Sequence, residues 1–314
     1  MIWLAWRQHR NEVVVFAAIV TATALVNLGQ GLRAAALSTA LALLECRAFI
    51  GPGECLAVTS FEREFGWMHF FPLLFASGPV LVAPFLAAPL VAREYEFRTT
   101  LLAWAQGVTR ARWLVVKTAL LSAAVLVGAL ALAAVAPIAE HAWSYGSIAW
   151  QSSFEWSVPV LLGTAFFAVA LGVFCGALTR RVLAAMLLAL ILVAVARGAV
   201  GTQLRPSYLP PLVAASDREV PADAWRLANY WVDADGRVVP PPRVSALQNE
   251  YFRSWPRPTQ TPDEYLRERR IFYRIPYQPR ERQIPFQVIE LAIYSALALS
   301  LFGASVWLVR RRAA

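Results

Sequence analysis

The sequence predicts an all-α membrane protein with six transmembrane helices, and three observations lead to this prediction. Hydrophobic residues make up 58% of the 314-residue chain and charged residues only 16%, which leaves too few polar side chains to cover a soluble globule of this size. Six charge-poor stretches each approach the roughly 20 residues that cross the hydrocarbon of a bilayer. Basic residues also flank these stretches at alternate ends. The composition therefore places the chain in a bilayer.

The predicted spans leave two long connections and several short ones. An even number of spans puts both chain ends on one side of the membrane. A secretory signal peptide is the alternative for the first span, because Arg7 and Arg10 precede an apolar run, but that run is long and no clear small-residue cleavage site follows it. The predicted spans are residues 13–32, 70–91, 118–138, 156–179, 182–201 and 286–309.

The distribution of basic residues predicts the orientation of the chain. Four basic clusters fall on the same side of the alternating spans, and by the positive-inside rule that side is cytoplasmic, although the long connection at 202–285 is also rich in arginine. The connection at 140–155 contains no Lys or Arg, as expected on the outer side. We therefore predict cytoplasmic N and C termini and a multi-pass position in the cell membrane, in contact with lipid. The basic clusters are Arg7 and Arg10, residues 93–117, Arg180 and Arg181, and residues 310–312.

The connection between spans five and six is long enough to be a separate extracellular domain. An Asp-Gly pair within residues 231–238 predicts a hairpin turn. Thr261 followed by Pro262 predicts the start of a helix that continues to about Phe272. We interpret this domain as a lid, with a substrate-gathering domain as the alternative. The predicted regions are 1–201 with five spans, 202–285 as the extracellular domain, and 286–314 with the sixth span and a basic tail.

A charged segment at 93–112 lies between spans two and three. The helical period places apolar and polar side chains on different faces, which predicts an amphipathic helix at the membrane surface. Gly107 then breaks this helix, and Thr109 can cap the next one. A helix, a break and a span form an elbow. The apolar face contains Leu101, Trp104, Ala105 and Val108, whereas Glu94, Arg98 and Gln106 remain polar.

Polar residues within the spans are functional candidates, because polar groups are costly in hydrocarbon. Arg197 and Glu290, near the outer ends of spans five and six, can form an ion pair, although we favour side chains that reach the headgroups. Prolines in span two suit a wall that bends. The polar candidates are Asn27, Gln30, Arg197 and Glu290, and the prolines are Pro72, Pro79, Pro84 and Pro89.

The cysteines fit the predicted topology. Cys46 and Cys55 share the first outer connection, and Gly51-Pro52-Gly53 between them can turn the chain back. We predict a disulfide, which stabilises by about 2–3 kcal/mol in the chain-entropy model, with two free thiols as the alternative. Cys175 lies within an apolar span and is interpreted as a packing residue.

The sequence lacks the common motifs of catalysis and nucleotide binding. His9, His69 and His141 have no metal-binding spacing, and neither a Gly-x-Ser-x-Gly elbow nor a phosphate-binding Gly-x-x-x-x-Gly-Lys motif occurs. No basic helix with interleaved aromatic residues suggests a nucleic-acid partner. We therefore expect no catalytic residue, no bound metal and no cofactor held by this chain.

Several motifs together resemble the type-2 ABC exporter permeases. The resemblance covers the two ends of the chain and the segment that follows span two. A narrower similarity, to actinobacterial members of that group, is carried by Trp6 to Arg10 at the start and by residues 277–290 and the arginine tail at the end. The motif after span two comprises Glu94, Glu96, Thr99, Thr100, Gln106, Gly107, Val108, Thr109, Arg110, Arg112, Trp113 and Lys117.

The resemblance implies a role for the elbow. In such permeases the segment after span two is a coupling helix that fits a groove of a separate ATPase subunit. Two permease subunits, identical or different, would work with two ATPases that bind ATP and Mg²⁺. Many members have Gly where this chain has Arg98, so the local turn is expected to differ. The implied coupling residues are Glu94, Glu96, Arg98, Thr99, Thr100, Gln106, Gly107, Arg110 and Arg112.

The function expected from these observations is ATP-driven export, with ATP hydrolysed by a partner chain. The small number of charges within the spans favours an amphipathic or hydrophobic substrate. Two alternatives come from other classes. One is a membrane scaffold or sensor that detects a ligand through the extracellular domain, and the other is a membrane-embedded enzyme acting on lipid or peptide.

Overall fold

The computed structural model describes residues 2–41, 56–67, 78, 81–98, 109–143, 150–254 and 261–311. Helices dominate the described part of the chain. It divides into two compact units, Met1–Gln203 together with Ile284–Ala314, and Leu204–Gln283. We refer to the first as the membrane unit and to the second as the loop unit.

The membrane unit consists of helices, and five described helices are long and apolar enough to cross a bilayer. Those five are α1, α4, α6, α7 and α10. A π-helical turn at Ala83–Ala87 leads into α3. The helices of this unit are α1 (Ile2–Ala40), α2 (Leu56–Phe65), α3 (Ala88–Glu96), α4 (Arg110–Trp143), α5 (Trp150–Glu155), α6 (Val158–Thr179), α7 (Val182–Ala199) and α10 (Gln283–Arg311).

The five long helices contain, wholly or nearly so, the first and the last four predicted spans. The first half of the remaining predicted span, 70–91, lies almost entirely outside the described residues, so six spans and the orientation remain predictions. Of its prolines, Pro84 lies in the π-helical turn and Pro89 in the first turn of α3. A π turn locally interrupts the regular helical hydrogen bonds, which fits the predicted bend. Pro72 and Pro79 lie outside the described residues.

Helix α6 is at the centre of the membrane unit. Most of its side chains are buried, and α3, α4 and α7 all pack against it, while α1 packs against α4. Helix α10 also approaches α6 closely, because a Cβ atom at Gly163 would lie only 3.1 Å from the Cα of Leu291. Small residues on α6 therefore allow close helix packing, as is common between transmembrane helices.

Helix α7 carries an exposed apolar stripe. Four large hydrophobic residues recur at intervals of four, and each is well exposed on the single chain. A stripe of this kind is costly in water but is stable against lipid or another subunit. The stripe comprises Leu183, Leu187, Ile191 and Val195. Together with the five long helices it identifies a multi-pass membrane protein.

The loop unit combines two helices with a small antiparallel sheet, an element that the all-α prediction did not include. Strand β4 is central, flanked by β1 and β2, and β3 pairs with its first half. The register places Leu212 opposite Tyr277, Trp225 opposite Gln278, and Tyr230 opposite Arg274. The elements are β1 (Leu212–Ala214), β2 (Trp225–Arg226), β3 (Tyr230–Val232), α8 (Pro241–Arg253), α9 (Pro262–Glu268) and β4 (Phe272–Gln278).

The predicted hairpin turn in the loop unit is confirmed. The Asp233 amide donates to the carbonyl of Arg237 at 2.9 Å, and Val232 bridges to Val238. Gly236 has a φ of +78°, a conformation that glycine adopts without a steric penalty.

The predicted helix start at Thr261 is also confirmed, but its extent was wrong. Thr261 and Glu264 form a reciprocal capping box, and the helix ends at Glu268 instead of continuing to Phe272. The chain turns at Arg270, whose φ is +59°, and then enters β4. The pairing of β4 with three other strands outweighs the helical pattern that the sequence shows before Phe272. Pro276 is tolerated in β4, where its carbonyl accepts a hydrogen bond from the Leu227 amide.

Candidate functional site

The end of α3 leads into the elbow, and its position is set by a close approach between α3 and α6. A Cβ atom at Gly176 of α6 would lie 2.6 Å from the carbonyl oxygen of Ala88. Ala88 and Ala92 are fully buried, and their small side chains permit this contact. Because only glycine leaves enough space here, the sequence holds α3 directly against the central helix.

A buried ion pair joins α3 to α4. The carboxylate of Glu94 accepts a hydrogen bond from the ammonium group of Lys117, which is only 4% exposed. The ammonium nitrogen also lies 5.3 Å from the ring centre of the buried Trp113. A lysine at this depth requires a counter-charge, since an isolated buried ammonium is costly. Glu94 therefore faces into the protein and fixes α3 to α4.

A second ion pair joins α3 to α1. Arg93 donates to one carboxylate oxygen of Glu12 at 2.9 Å, and His9 donates to the other oxygen at 2.9 Å. Glu12 therefore connects the N-terminal turns of α1 with the last turn of α3. Arg93 is distant in sequence from the other two residues. His9 and Glu12 lie three positions apart on one face of α1.

A third contact joins α3 to the start of α7. The Val182 amide, which has no partner within its own helix, donates to the carboxylate of Glu96 at 2.7 Å. The guanidinium of Arg180 stacks 5.2 Å from the ring centre of Tyr95. Burial raises the pKa of the Tyr95 hydroxyl above its ordinary value, and the positive charges of Arg180 and Arg110 partly offset that rise.

Phe97 and Arg98 are the last described residues before Thr109, and we refer to this pair as the tip of the elbow. Phe97 is 70% exposed, an unusual position for an aromatic ring, and Arg98 next to it is exposed as well. Arg98 has a φ of +57°, the left-handed conformation that glycine adopts with least strain. Arg98 is therefore held in a backbone conformation that glycine adopts more easily than arginine.

The far side of the elbow begins at Thr109. Its hydroxyl accepts a hydrogen bond from the Arg112 amide at 3.4 Å, which confirms the predicted cap of α4. Arg112 is exposed and Arg110 is partly exposed. The predicted coupling residues Thr99, Thr100, Gln106 and Gly107, and the predicted apolar face at 101–108, lie outside the described residues.

A second polar cluster lies at the other end of α7. Arg197 donates to Glu155 of α5 at 2.6 Å, and only 13% of its side chain is exposed. Glu290 is fully buried. Both Glu290 and Tyr294 interact electrostatically with Arg197. The favoured interpretation, that Arg197 and Glu290 reach outward to headgroups, was therefore wrong. The ion-pair alternative also needs correction, because the hydrogen-bonded partner of Arg197 is Glu155.

The remaining candidates are less connected. Asn27 is buried, and its side-chain oxygen has no hydrogen-bond partner among the described residues, while Gln30 accepts a long hydrogen bond of 3.5 Å from Arg33. Cys46 and Cys55 lie outside the described residues, so their disulfide remains a prediction. Cys175 is a buried free thiol, as its packing interpretation requires.

Comparison with known families was made on the sequence. A family model described as ABC-2 membrane transporter related matches residues 15–205, more than half of the chain. The protein belongs to the ABC-2 membrane transporter related family. Neither the curated proteins nor the solved structures contain a match to it. As a member of this family, the chain is a membrane component of a transporter, and the family implies an ATPase partner.

Some residues in both clusters were not predicted from the sequence. Glu12 and Glu155 each stand at the edge of an apolar stretch, where a carboxylate reads as an ordinary flanking residue. The only lysine of the chain, Lys117, was counted as a basic residue for orientation, although it is a buried partner of Glu94. A single lysine among many arginines, next to a span, was the one available signal. Within the described residues, no three metal-binding side chains lie together.

Proposed function

We propose that this protein is the membrane-spanning subunit of an ATP-driven exporter, and that a separate ATPase subunit docks on the elbow at 93–112. The ATPase binds ATP and Mg²⁺, and its movement shifts the membrane helices through α3. Two membrane subunits, identical or different, complete the transporter. The family assignment supports the transporter role, and the geometry of α3 supports the mechanism.

One observation carries this proposal. The last turn of α3 is joined by separate polar contacts to α1, α4 and α7, through Arg93, Glu94 and Glu96 respectively. Helix α3 also packs on α6 with almost no space between the backbones. Any force on the elbow therefore acts on several long helices at once, which is what a coupling element requires.

The exposed tip supports docking of a protein. Phe97 provides an apolar contact, and Arg98 and Arg112 provide positive charge on either side of the predicted surface helix. Aromatic and arginine side chains are the residues that most often dominate protein interfaces. The inward-facing Glu94 positions the elbow, and the exposed residues are the ones that would touch the ATPase.

The composition of the long helices supports one class of substrate. The long helices contain few charged side chains, which disfavours ions and sugars and favours an amphipathic or hydrophobic molecule. Export through the cell membrane is the direction that the resembled family implies. Under the positive-inside rule, the basic residues at the elbow support a cytoplasmic location for this end of the unit.

The proposal is tested by purifying the full chain from native membranes in mild detergent and identifying co-purified proteins by mass spectrometry. We expect an ATPase with a phosphate-binding loop in an amount equal to the chain. Arg98→Glu with Arg112→Glu should reduce its recovery at least about tenfold, because each reversal of an interface charge costs on the order of 1 kcal/mol or more.

The matched control is Arg218→Glu, which reverses an exposed charge of the loop unit, whereas the elbow belongs to the membrane unit. Its ATPase recovery should equal that of the unmodified chain. If no ATPase is recovered with the folded chain, the exporter proposal is wrong and the scaffold or sensor alternative gains support. Equal ATPase recovery with the elbow variant would leave the exporter proposal standing, but it would show that the ATPase docks elsewhere on the chain.

A further inference from the structure

Helix α5 is a six-residue helix that contacts α6, α7 and α10, and its contact with α7 lies at the end of α7 opposite the elbow. Its first residue, Trp150, stacks on Phe154 with ring centres 5.0 Å apart and meets Phe286 of α10 edge-on at 5.7 Å. All three rings are buried. Aromatic contacts of this geometry are favourable beyond the area they bury. Helix α5 thus occupies space between α6 and α10.

One ion pair fixes the other end of this short helix. Glu155, the last residue of α5, is bonded to Arg197 of α7, and both side chains are mostly buried. A buried pair of this kind is sensitive to the position of each partner, because separating the charges leaves both poorly solvated. The position of α5 is therefore coupled to the position of α7.

Phe286, which contacts Trp150 of α5, belongs to a buried face of α10. Phe286, Glu290 and Tyr294 recur at intervals of four and are fully buried. Tyr294 continues the aromatic packing, with its ring centre 5.4 Å from that of Phe167 on α6. A carboxylate at Glu290 is costly to bury and adds nothing to apolar packing. Glu290 interacts electrostatically with Arg197, the residue bonded to Glu155, so this face of α10 is linked to the contact that holds α5.

We infer that α5 is a gate that closes this end of the bundle, and that the Glu155–Arg197 ion pair is the latch that holds it closed over Glu290. The inference rests on the proposed transport function and adds the point at which the pathway is shut. The gate and the elbow are joined by α7, whose first residue contacts Glu96 and whose sixteenth residue is Arg197. These two positions lie about 22 Å apart along the helix.

In this arrangement, movement of α3 reaches the latch through α7. A shift of α3 displaces the start of α7 through the Glu96 contact, and a rigid helix carries that shift to Arg197. Movement of α5 requires the Glu155–Arg197 ion pair and the contact between Trp150 and Phe286 to break. The exit gate thereby opens as a consequence of movement at the elbow, without a separate signal.

The test measures access to the covered face in the full chain, reconstituted in lipid nanodiscs. Glu290→Cys provides a thiol at the buried position, and a water-soluble maleimide labels it when the gate opens. Peptide-level mass spectrometry follows each cysteine separately, so the buried Cys175 serves as an internal reference. Glu290→Cys alone should label slowly, at a rate close to that of Cys175.

Breaking the latch should then expose the reporter. Adding Glu155→Gln should accelerate labelling at position 290 by about tenfold or more, since a buried charge pair has lost one partner. The charge exchange Glu155→Arg with Arg197→Glu should restore slow labelling. The matched control is Glu64→Gln, which removes an exposed carboxylate from the Arg33–Glu64 pair of the same unit and should leave the rate unchanged.

Two results would overturn the inference. One is an equal labelling rate with and without Glu155→Gln, and the other is fast labelling that the charge exchange does not slow. If Glu155→Gln reduces folding, seen as faster labelling of Cys175, Glu155→Asp replaces it and should give an intermediate rate at position 290. The assay contains no ATPase, so its failure is separate from a failure of the co-purification.

Discussion

The two ends of α7 hold two charge clusters that differ in exposure and in connection. At the elbow, Arg93, Glu94 and Glu96 contact three different helices, and the neighbouring tip is open to a partner. At the gate, the side chains of the Glu155–Arg197 pair are mostly buried. The difference suggests that the elbow receives a force from outside the chain, whereas the gate responds only to movement of the chain's own helices.

The largest effect is expected at the elbow. Glu94→Ala leaves Lys117 buried without its carboxylate partner, which should lower the free energy of unfolding by about 3–5 kcal/mol. Adding Lys117→Met should recover most of that loss, because an apolar side chain needs no counter-charge. Thermal unfolding in detergent measures both variants. Arg112→Ala, an exposed charge on the same elbow, should change stability little.

A smaller loss is expected where α3 meets α6. Gly176→Ala forces a methyl group to within 2.6 Å of the Ala88 carbonyl, so α3 must shift at a cost of about 1–3 kcal/mol. This variant should also weaken ATPase recovery, since the elbow moves with α3. Gly198→Ala in α7 is the control, because nothing lies within 4 Å of its added methyl group. Equal stability of the two variants would contradict tight packing of α3.

Helix α9 lies outside both clusters, and loss of its cap is expected to have a smaller effect on stability. Hydrogen bonds from Thr261 hold the pKa of Glu264 below its ordinary value, so the cap stabilises at neutral pH and weakens as the pH falls through that lowered pKa. Thr261→Ala should cost about 1 kcal/mol locally. Hydrogen exchange of residues 261–268 measures this, and Glu264→Gln, which cannot ionise, should lose the acid dependence of protection.

The smallest effect is expected at Arg98, and it has the opposite sign. Glycine at this position relieves about 1–2 kcal/mol of left-handed strain but loses roughly 0.5–1 kcal/mol through the more flexible unfolded chain, so Arg98→Gly should stabilise by about 1 kcal/mol or less. Arg112→Gly, within helix α4, should instead destabilise by about 1 kcal/mol. A destabilised Arg98→Gly would show that the arginine side chain makes a contact that outweighs the strain.

The charged segment after span two was evident in the sequence because its charges are contiguous and stand between two apolar stretches, but its helix and break stay predictions. The hydrophobic pattern predicted five described spans, and the Thr261-Pro262 pair predicted the cap of α9. Of the gate residues, Arg197 and Glu290 were candidates, whereas Glu155 was missed because it comes from a distant segment and only packing brings it to Arg197. The inward direction of Glu94 was missed for the same reason, since its partner Lys117 lies a full connection away.

The sheet of the loop unit was missed for a different physical reason. Strands β1 to β3 have only two or three residues each, too few to show an alternating pattern. The longer β4 contains Pro276, which argues against a central strand when the sequence is read alone. Its pairing depends on partners that lie up to about 60 residues earlier in the chain, and the local pattern carries no information about them.

The most direct test of the account is a photo-activated cross-linker placed at Phe97, the exposed tip of the elbow. Illumination of native membranes followed by mass spectrometry should join this position to an ATPase with a phosphate-binding loop. The same cross-linker at Arg218 in the loop unit should not capture it. Cross-linking to the ATPase from position 218 and none from position 97 would contradict the assignment of the elbow as the docking site.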